Sequence, residues 1–219
     1  TKQRPLARGA IRPTSALVRL IVLLSLSLAV VLSLDEASRQ LCLLLSIGAL
    51  PAILLYPSAK RWFAYPQAVL AFCWGFAVLI PWAAAERSLT LQPALIGCWL
   101  ATLLWTFGFD TVYAMADRRD DAVIGLNSSA LSLGNRAVVT VRACYVLTVV
   151  ALGVAAASAG VHPLFWIFWL GASLLMQISC QSLNHRNATM ASFGLHFRRQ
   201  VQLGSLLLLG LIVSRGLSG

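Results

Sequence analysis

The sequence predicts an all-α protein, a polytopic bundle of transmembrane helices that forms a single domain over residues 1–219. Of its 219 residues 59% are hydrophobic and only 11% are charged, whereas soluble domains carry about 25% charged residues. The apolar residues are concentrated in blocks, and as a helix each block can cross or nearly cross a hydrocarbon layer about 30 Å thick. The seven blocks are 14–34, 41–56, 67–85, 94–109, 137–160, 163–183 and 200–215.

Two segments are expected to depart from a plain membrane span. The block 41–56 is short and contains Pro51, so we expect it to be kinked or shielded by its neighbours. The segment 184–199 mixes His185 and Arg186 with apolar residues, which predicts an amphipathic helix at the membrane interface.

The basic residues predict the orientation of the bundle. The chain has a net charge of +10, and 14 of its 17 basic residues fall in alternate links. By the positive-inside rule these links face the cytoplasm, which places the N-terminus inside and the C-terminus outside a bacterial inner membrane. Topology therefore explains the basic charge without a nucleic-acid partner, and no obligate protein partner is evident. The basic residues on this side are Lys2, Arg4, Arg8, Arg12, Arg19, Lys60, Arg61, Arg118, Arg119, Arg136, Arg142, Arg186, Arg198 and Arg199.

Four of the seven acidic residues are clustered at the end of the fourth block: Asp110, Asp117, Asp120 and Asp121. At about 100° per residue, Asp117 and Asp121 each lie within about 20° of Asp110 on one helix face, and Asp120 points about 80° away. Like charges stacked in this way repel one another, and a divalent cation with oxygen ligands removes the repulsion. The spacing therefore predicts a Mg²⁺ site at Asp117 and Asp121 with Asp110 in support, the alternative being a solvated helix end paired with Arg118 and Arg119.

Basic residues able to bind a diphosphate are predicted on the same side. Lys60 and Arg61 follow the second block, and Arg4 precedes the first. Each is either a topology signal or a ligand for substrate. The acidic cluster nearby favours the second role for Lys60 and Arg61.

These residues resemble the UbiA superfamily of intramembrane aromatic prenyltransferases. The segment Asp110-x-x-Tyr113-Ala-x-x-Asp117-x-x-Asp120-Asp121 is similar to the second aspartate motif of that family. Further matches are Arg4-Pro-Leu, Tyr56-Pro-x-x-Lys60-Arg61, Pro66-Gln67-x-x-Leu70, Ile124-Gly125 and Leu126-Asn127-Ser128-Ser129-Ala130-Leu131. The resemblance is closest to 4-hydroxybenzoate polyprenyltransferases, in particular the solanesyl-transferring branch that serves plastoquinone synthesis.

The resemblance implies a reaction and its substrates. A polyprenyl diphosphate, solanesyl or octaprenyl, would bind through Mg²⁺ at two aspartate motifs, with Lys60, Arg61, Tyr113 and Arg4 contacting substrate and membrane lipid surrounding the bundle. The allylic carbon–oxygen bond would break, and the carbocation would attack 4-hydroxybenzoate ortho to its hydroxyl group on the way to ubiquinone or plastoquinone. Another aromatic acceptor is the alternative within the family.

One departure from the family is large. The first aspartate motif and two of the nine helices of the family have no counterpart in residues 1–219. We therefore expect the chain to be the C-terminal three-quarters of a family member, and to be inactive alone.

Two rival functions fit the residues less well. A CDP-alcohol phosphatidyltransferase needs a DGxxAR pattern followed by GxxxD, and the sequence contains neither. A transporter or proton pathway would favour acids near the middle of the membrane, whereas these acids cluster at one boundary.

Overall fold

The computed structural model describes residues 5–181, 183 and 190–218, and within these residues every regular element is helical. The all-α prediction is therefore confirmed. The helices are α1 (Pro13–Leu32), α2 (Glu36–Ala59), α3 (Pro66–Glu86), α4 (Pro93–Val123), α5 (Ser129–Leu133), α6 (Ala137–Ser158), α7 (Phe165–Gln181) and α8 (Met190–Ser218), with a 3₁₀ turn at Gly134–Arg136 between α5 and α6.

Six helical segments of the described chain are long and apolar enough to cross a membrane: α1, α2, α3, α4, the run Ser129–Ser158, and α8. The remaining apolar helix, α7, has 17 residues, which is close to the lower limit of about 17 residues for a span. The seven predicted blocks thus each correspond to a helix. The chain is a multi-pass membrane protein.

The helix ends differ from the predicted blocks for local reasons. Helix α2 has 24 residues and includes Pro51 and Pro57, so it is longer than the block 41–56. It begins early because the Asp35 carboxylate caps it, accepting a hydrogen bond from the backbone N–H of Ser38 at 3.3 Å. Three other helices begin with proline at their first position, where a missing N–H costs nothing: Pro13, Pro66 and Pro93.

Helix α8 corrects the prediction for the segment 184–199. Residues 184–189 lie outside the described part of the chain. Residues 190–199 form the first part of α8 and continue without a break into the membrane span, so this described part of the segment is not a separate interfacial helix.

Helix α4 is the central helix of the bundle, and it packs against α3, α6 and α8. Small residues allow its closest approach to α6. A Cβ atom added at Gly97 would lie 2.6 Å from the carbonyl oxygen of Ala151, and one at Gly108 would lie 2.7 Å from Cε1 of Tyr145. Glycine is therefore required at both positions, as is common where membrane helices pack closely.

Candidate active site

The acidic cluster lies on the last four turns of α4. The helix is unbroken to Val123, so the predicted register applies: Asp121 is buried, Asp110 and Asp117 are partly buried, and Asp120 is exposed. Burial thus separates Asp120 from the other three carboxylates, as their spacing predicted. Among the described residues, the Asp117 carboxylate has no hydrogen bond or ion pair with another side chain.

Lys60 neutralises the most buried of these carboxylates. Its Nζ lies 3.1 Å from Oδ1 and 3.0 Å from Oδ2 of Asp121, whose side chain is 6% exposed. Lys60 follows the last residue of α2, and Asp121 lies in the last turn of α4, so the pair joins two helix ends that are 61 residues apart in sequence. The sequence predicted both residues as site residues, but it did not predict this contact.

The link between α4 and α5 is fixed on the link between α2 and α3. The backbone N–H of Asn127 donates to the carbonyl oxygen of Lys60 at 2.7 Å, and the Ser132 hydroxyl donates to the carbonyl oxygen of Ala64 at 2.7 Å. The two links therefore form one surface on the side of the bundle where the basic links lie. We call this the basic side.

Gln67 and Ser129 continue this connection into the bundle. The Gln67 Oε1 accepts a hydrogen bond from the backbone N–H of Ser129 at 2.8 Å, and the Ser129 hydroxyl lies 2.8 Å from the hydroxyl of Thr111, one residue after Asp110. All three side chains are buried. Gln67 and Ser129 were singled out only as part of a resemblance, and the structure shows that they hold the first turn of α5 against α3 and α4.

The remaining predicted substrate residues are placed differently. Arg61 is exposed and forms no ion pair within the described chain. Tyr113 is exposed and lines a cavity. Arg4 lies outside the described residues.

Two apolar cavities follow one another along α4 and α8. The near cavity, on the side of the aspartates, has a volume of about 290 Å³ and is lined by Phe109, Val112, Tyr113, Phe193 and Phe197, among others. The deep cavity has a volume of about 390 Å³ and is lined by Trp74, Trp105, Phe109, Gln200 and Val201, among others. No pattern in the sequence predicts that Phe109 and Phe197 line a cavity, because aromatic residues are frequent in all membrane spans.

A buried polar network fixes α8 against its neighbours. The Nδ1–H of His196 donates to the carbonyl oxygen of Ser179 at 3.3 Å, so its Nε2 accepts from the Tyr145 hydroxyl at 2.9 Å. The side chain of Gln200, one turn further, accepts from Nε1 of Trp105 at 2.9 Å and donates to the Ser179 hydroxyl at 3.1 Å. The network joins α4, α6, α7 and α8. A single histidine or glutamine in an apolar block does not predict such a network from the sequence.

The carboxylates are compatible with a bound Mg²⁺ ion. Mg²⁺ in proteins is commonly held by one or two carboxylates, with waters and substrate phosphate completing its shell. No described side chain forms a hydrogen bond with the carboxylate oxygens of Asp117, whereas both oxygens of Asp121 face the ammonium group of Lys60. In the described chain no group of three or more acidic, histidine or cysteine side chains forms a metal cluster.

This fold and site define a class of protein. Residues 1–199 match the UbiA prenyltransferase family, and the chain belongs to that family. A solved structure, described as giving insights into digeranylgeranylglyceryl phosphate synthase in membranes, superposes with a TM-score of 0.67 over 97% of this chain and 73% of that chain. At 18% identity, that likeness shows a shared fold.

More similar relatives share the same family. The chain is 38% identical to a 4-hydroxybenzoate solanesyltransferase of Synechocystis sp., over 97% of this chain and 71% of the relative. It is 32% identical to a 4-hydroxybenzoate octaprenyltransferase of Janthinobacterium sp., over 84% of this chain and 61% of the relative. The family predicted from the sequence is confirmed, and the chain spans roughly two thirds of the length of these curated relatives.

Proposed function

We propose that the protein transfers a polyprenyl chain, solanesyl or octaprenyl, from its diphosphate to 4-hydroxybenzoate, in the synthesis of a membrane quinone. The activities named for the relatives support this substrate pair, and the family supports the type of reaction. The observation that carries the proposal is the carboxylate face of α4, where Asp117 is unpaired toward the described residues and Asp121 is held by Lys60.

The residues of the chain support the proposed reaction in two ways. The ammonium group of Lys60 places a positive charge beside the aspartates, where it can stabilise the charge that develops on the departing diphosphate. The apolar walls of the near cavity, including Phe109 and Tyr113, surround the space toward the membrane interior and limit the access of water to an allylic cation. The bond from the allylic carbon to the diphosphate oxygen breaks, a bond forms to the acceptor ring ortho to its hydroxyl, and the ring loses the proton at that carbon.

We propose further that the reaction uses Mg²⁺. Asp117 and Asp121 would hold it. Asp110 lies about 10 Å from Asp117 along the helix axis, at about 1.5 Å per residue. A bound Mg²⁺ ion neutralises the diphosphate and makes it a better leaving group. Asp120, exposed and on another face, has no part in this site.

The orientation and location are also proposed. Fourteen basic residues in the links of the basic side favour a cytoplasmic position for that side. The site would then face the cytoplasm from a bacterial inner membrane, and it would accept a soluble acid from one side and a lipid-borne diphosphate from the membrane.

The activity of residues 1–219 alone is a separate question. They contain one aspartate motif, and a diphosphate bound through a single acidic site would keep much of its charge uncompensated. We infer that transfer needs a second acidic motif supplied in cis or in trans.

The direct test is a transfer assay on membranes that contain the protein together with the second acidic motif in cis, using radiolabelled 4-hydroxybenzoate and solanesyl diphosphate. The proposal expects a labelled lipid that depends on both substrates. A labelled product with another aromatic acid, and none with 4-hydroxybenzoate, would assign a different acceptor within the family.

A further inference from the structure

The near and deep cavities are arranged in series along two antiparallel helices. On α4, residues 112, 113 and 116 line the near cavity and residues 105 and 106 line the deep one, with Phe109 lining both. On α8 the order is reversed along the chain, with residues 193, 194, 196 and 197 lining the near cavity and residues 200 and 201 the deep one. The two cavities therefore meet at the level of Phe109 and Phe197.

Two aromatic rings lie at this boundary. The ring centroids of Phe109 and Phe197 are 4.5 Å apart and the ring planes are tilted by 39°. Phe109 is eight residues before Asp117, which is about 12 Å along the helix axis. Along the axis of α4, the ring pair therefore lies between the aspartates and the residues of the deep cavity.

The backbone of α8 is held on both sides of Phe197. His196 is fixed by Tyr145 and the carbonyl oxygen of Ser179, and Gln200 is fixed by Trp105. The Phe197 side chain itself is 43% exposed. The ring can therefore turn while the helix stays in place.

We propose that the Phe109–Phe197 ring pair determines which isoprenoid chain lengths the protein accepts. Short chains occupy the near cavity alone, and long chains part the two rings and gain additional apolar contact with the walls of the deep cavity, which include Trp74 and Trp105. This inference rests on the proposed function, because it takes the ligand of the two cavities to be the tail of a prenyl diphosphate.

The test compares a short substrate, geranyl diphosphate, with a long one, solanesyl diphosphate, in the protein purified in lipid nanodiscs with the second acidic motif supplied in cis. The quantity measured is the ratio of kcat/KM for the long substrate to kcat/KM for the short one. Phe197→Trp enlarges the ring at the boundary, Phe197→Ala removes it, and Phe72→Trp is the matched control on the exposed surface of α3.

The ring-pair proposal expects Phe197→Trp to lower this ratio by at least about tenfold, because the loss of apolar contact for even one methylene group of the tail costs about that much. Phe197→Ala should raise the ratio, and Phe72→Trp should match the wild type. If Phe197→Trp does not fold, Phe197→Ala decides. An unchanged ratio in Phe197→Ala means that the deep cavity takes no substrate and holds membrane lipid only, which overturns the proposal.

A second measurement separates this proposal from the proposed function. The rise in unfolding temperature on adding each diphosphate with Mg²⁺ compares long and short tails without any acceptor. If 4-hydroxybenzoate is never prenylated but the variants alter the relative stabilisation by long and short diphosphates, the acceptor is wrong and the ring pair stands. If 4-hydroxybenzoate is prenylated and neither readout depends on Phe197, the ring pair is refuted and the function stands.

Discussion

The ammonium group of Lys60 lies between the two carboxylate oxygens of Asp121, at 3.1 and 3.0 Å, and joins the end of α2 to the end of α4. Asp121 is almost completely buried and Lys60 is about one-third exposed. The ammonium group of Lys60 therefore has two proposed roles. It compensates a buried charge, and it places positive charge where the proposed diphosphate would bind.

Lys60→Met is expected to lower stability and activity together. Removal of the ammonium leaves a buried carboxylate without its partner, which costs about 3 kcal/mol or more because the group left unpaired is charged. The adjacent residue provides the control, because Arg61 is exposed and forms no ion pair in the described chain. Thermal unfolding in detergent should separate Lys60→Met from Arg61→Met, and equal unfolding temperatures would show that the ion pair contributes nothing.

Asp117 and Asp120 allow a test of the helix register, because they point to different faces of α4. Asp117→Asn should reduce prenyl transfer about 100-fold or more, because an electrostatic group at the reacting diphosphate is lost, while membrane insertion and unfolding temperature stay the same. Asp120→Asn should be mild because this carboxylate is exposed on another face. Greater sensitivity at Asp120 than at Asp117 would mean that the wrong face of α4 has been assigned to the substrate.

Removal of divalent cations should abolish transfer, and added Mg²⁺ should restore it. A readout independent of turnover is the stabilisation by Mg²⁺ with diphosphate, which reaches about 2.7 kcal/mol at about a hundred times Kd. Asp117→Asn should lose most of this stabilisation, and Asp120→Asn should keep it. Full activity in excess EDTA would contradict the proposed metal site.

Tyr145→Phe tests the buried network that holds α8. The substitution removes the hydroxyl that donates to Nε2 of His196 and leaves the ring against Gly108. Hydrogen bonds between membrane helices are worth about 0.6 kcal/mol on average, so the loss of stability should be of that size. Tyr65→Phe is the control, since the Tyr65 hydroxyl has no hydrogen bond in the described structure; the same loss in both variants would remove the network as its cause.

The opposite end of the bundle should show a pH dependence. Hydrogen bonds from the hydroxyl and the backbone N–H of Ser38, with Arg87 at 3.4 Å, hold the pKa of the Asp35 carboxyl below its usual value. Because the folded pKa is lowered, the contribution of Asp35 to stability is present above the unfolded value of about 3.9, and it is lost as the pH falls through the folded pKa. The difference in unfolding temperature between wild type and Asp35→Asn should therefore shrink below about pH 4, and a constant difference would contradict this origin.

The sequence could predict those parts of the fold and site that depend on local spacing. The intervals between Asp110, Asp117 and Asp121 predicted a shared face because a helix repeats at a fixed angle, and the continuous helix α4 preserves that register. The apolar blocks predicted the helices for a similar reason, since the length of a span follows from the thickness of a bilayer. The ends of α2 were less predictable, because its start depends on the cap at Asp35.

The contacts between distant segments could not be predicted in this way. The pairing of Lys60 with Asp121, the bond from Ser129 to Gln67, and the meeting of Phe109 with Phe197 each join different helices. No local period encodes these contacts, because they follow from how the helices pack. The sequence predicted that Lys60 belongs to the site, and only the packing of α2 and α4 against the same helix, α3, shows that its ammonium group pairs with Asp121.

The separation of Lys60 from Asp121 has a consequence for synthesis in the membrane. Chains emerge from the ribosome N-terminal end first, so the ammonium group is already positioned at the end of α2 when α4 is inserted 61 residues later. The Asp121 carboxylate can then pair with an ammonium group that is already present. It does not have to be buried as an isolated charge, which would be costly. The order of the two charges along the chain thus allows the acidic half of the site to become buried without an isolated charged intermediate.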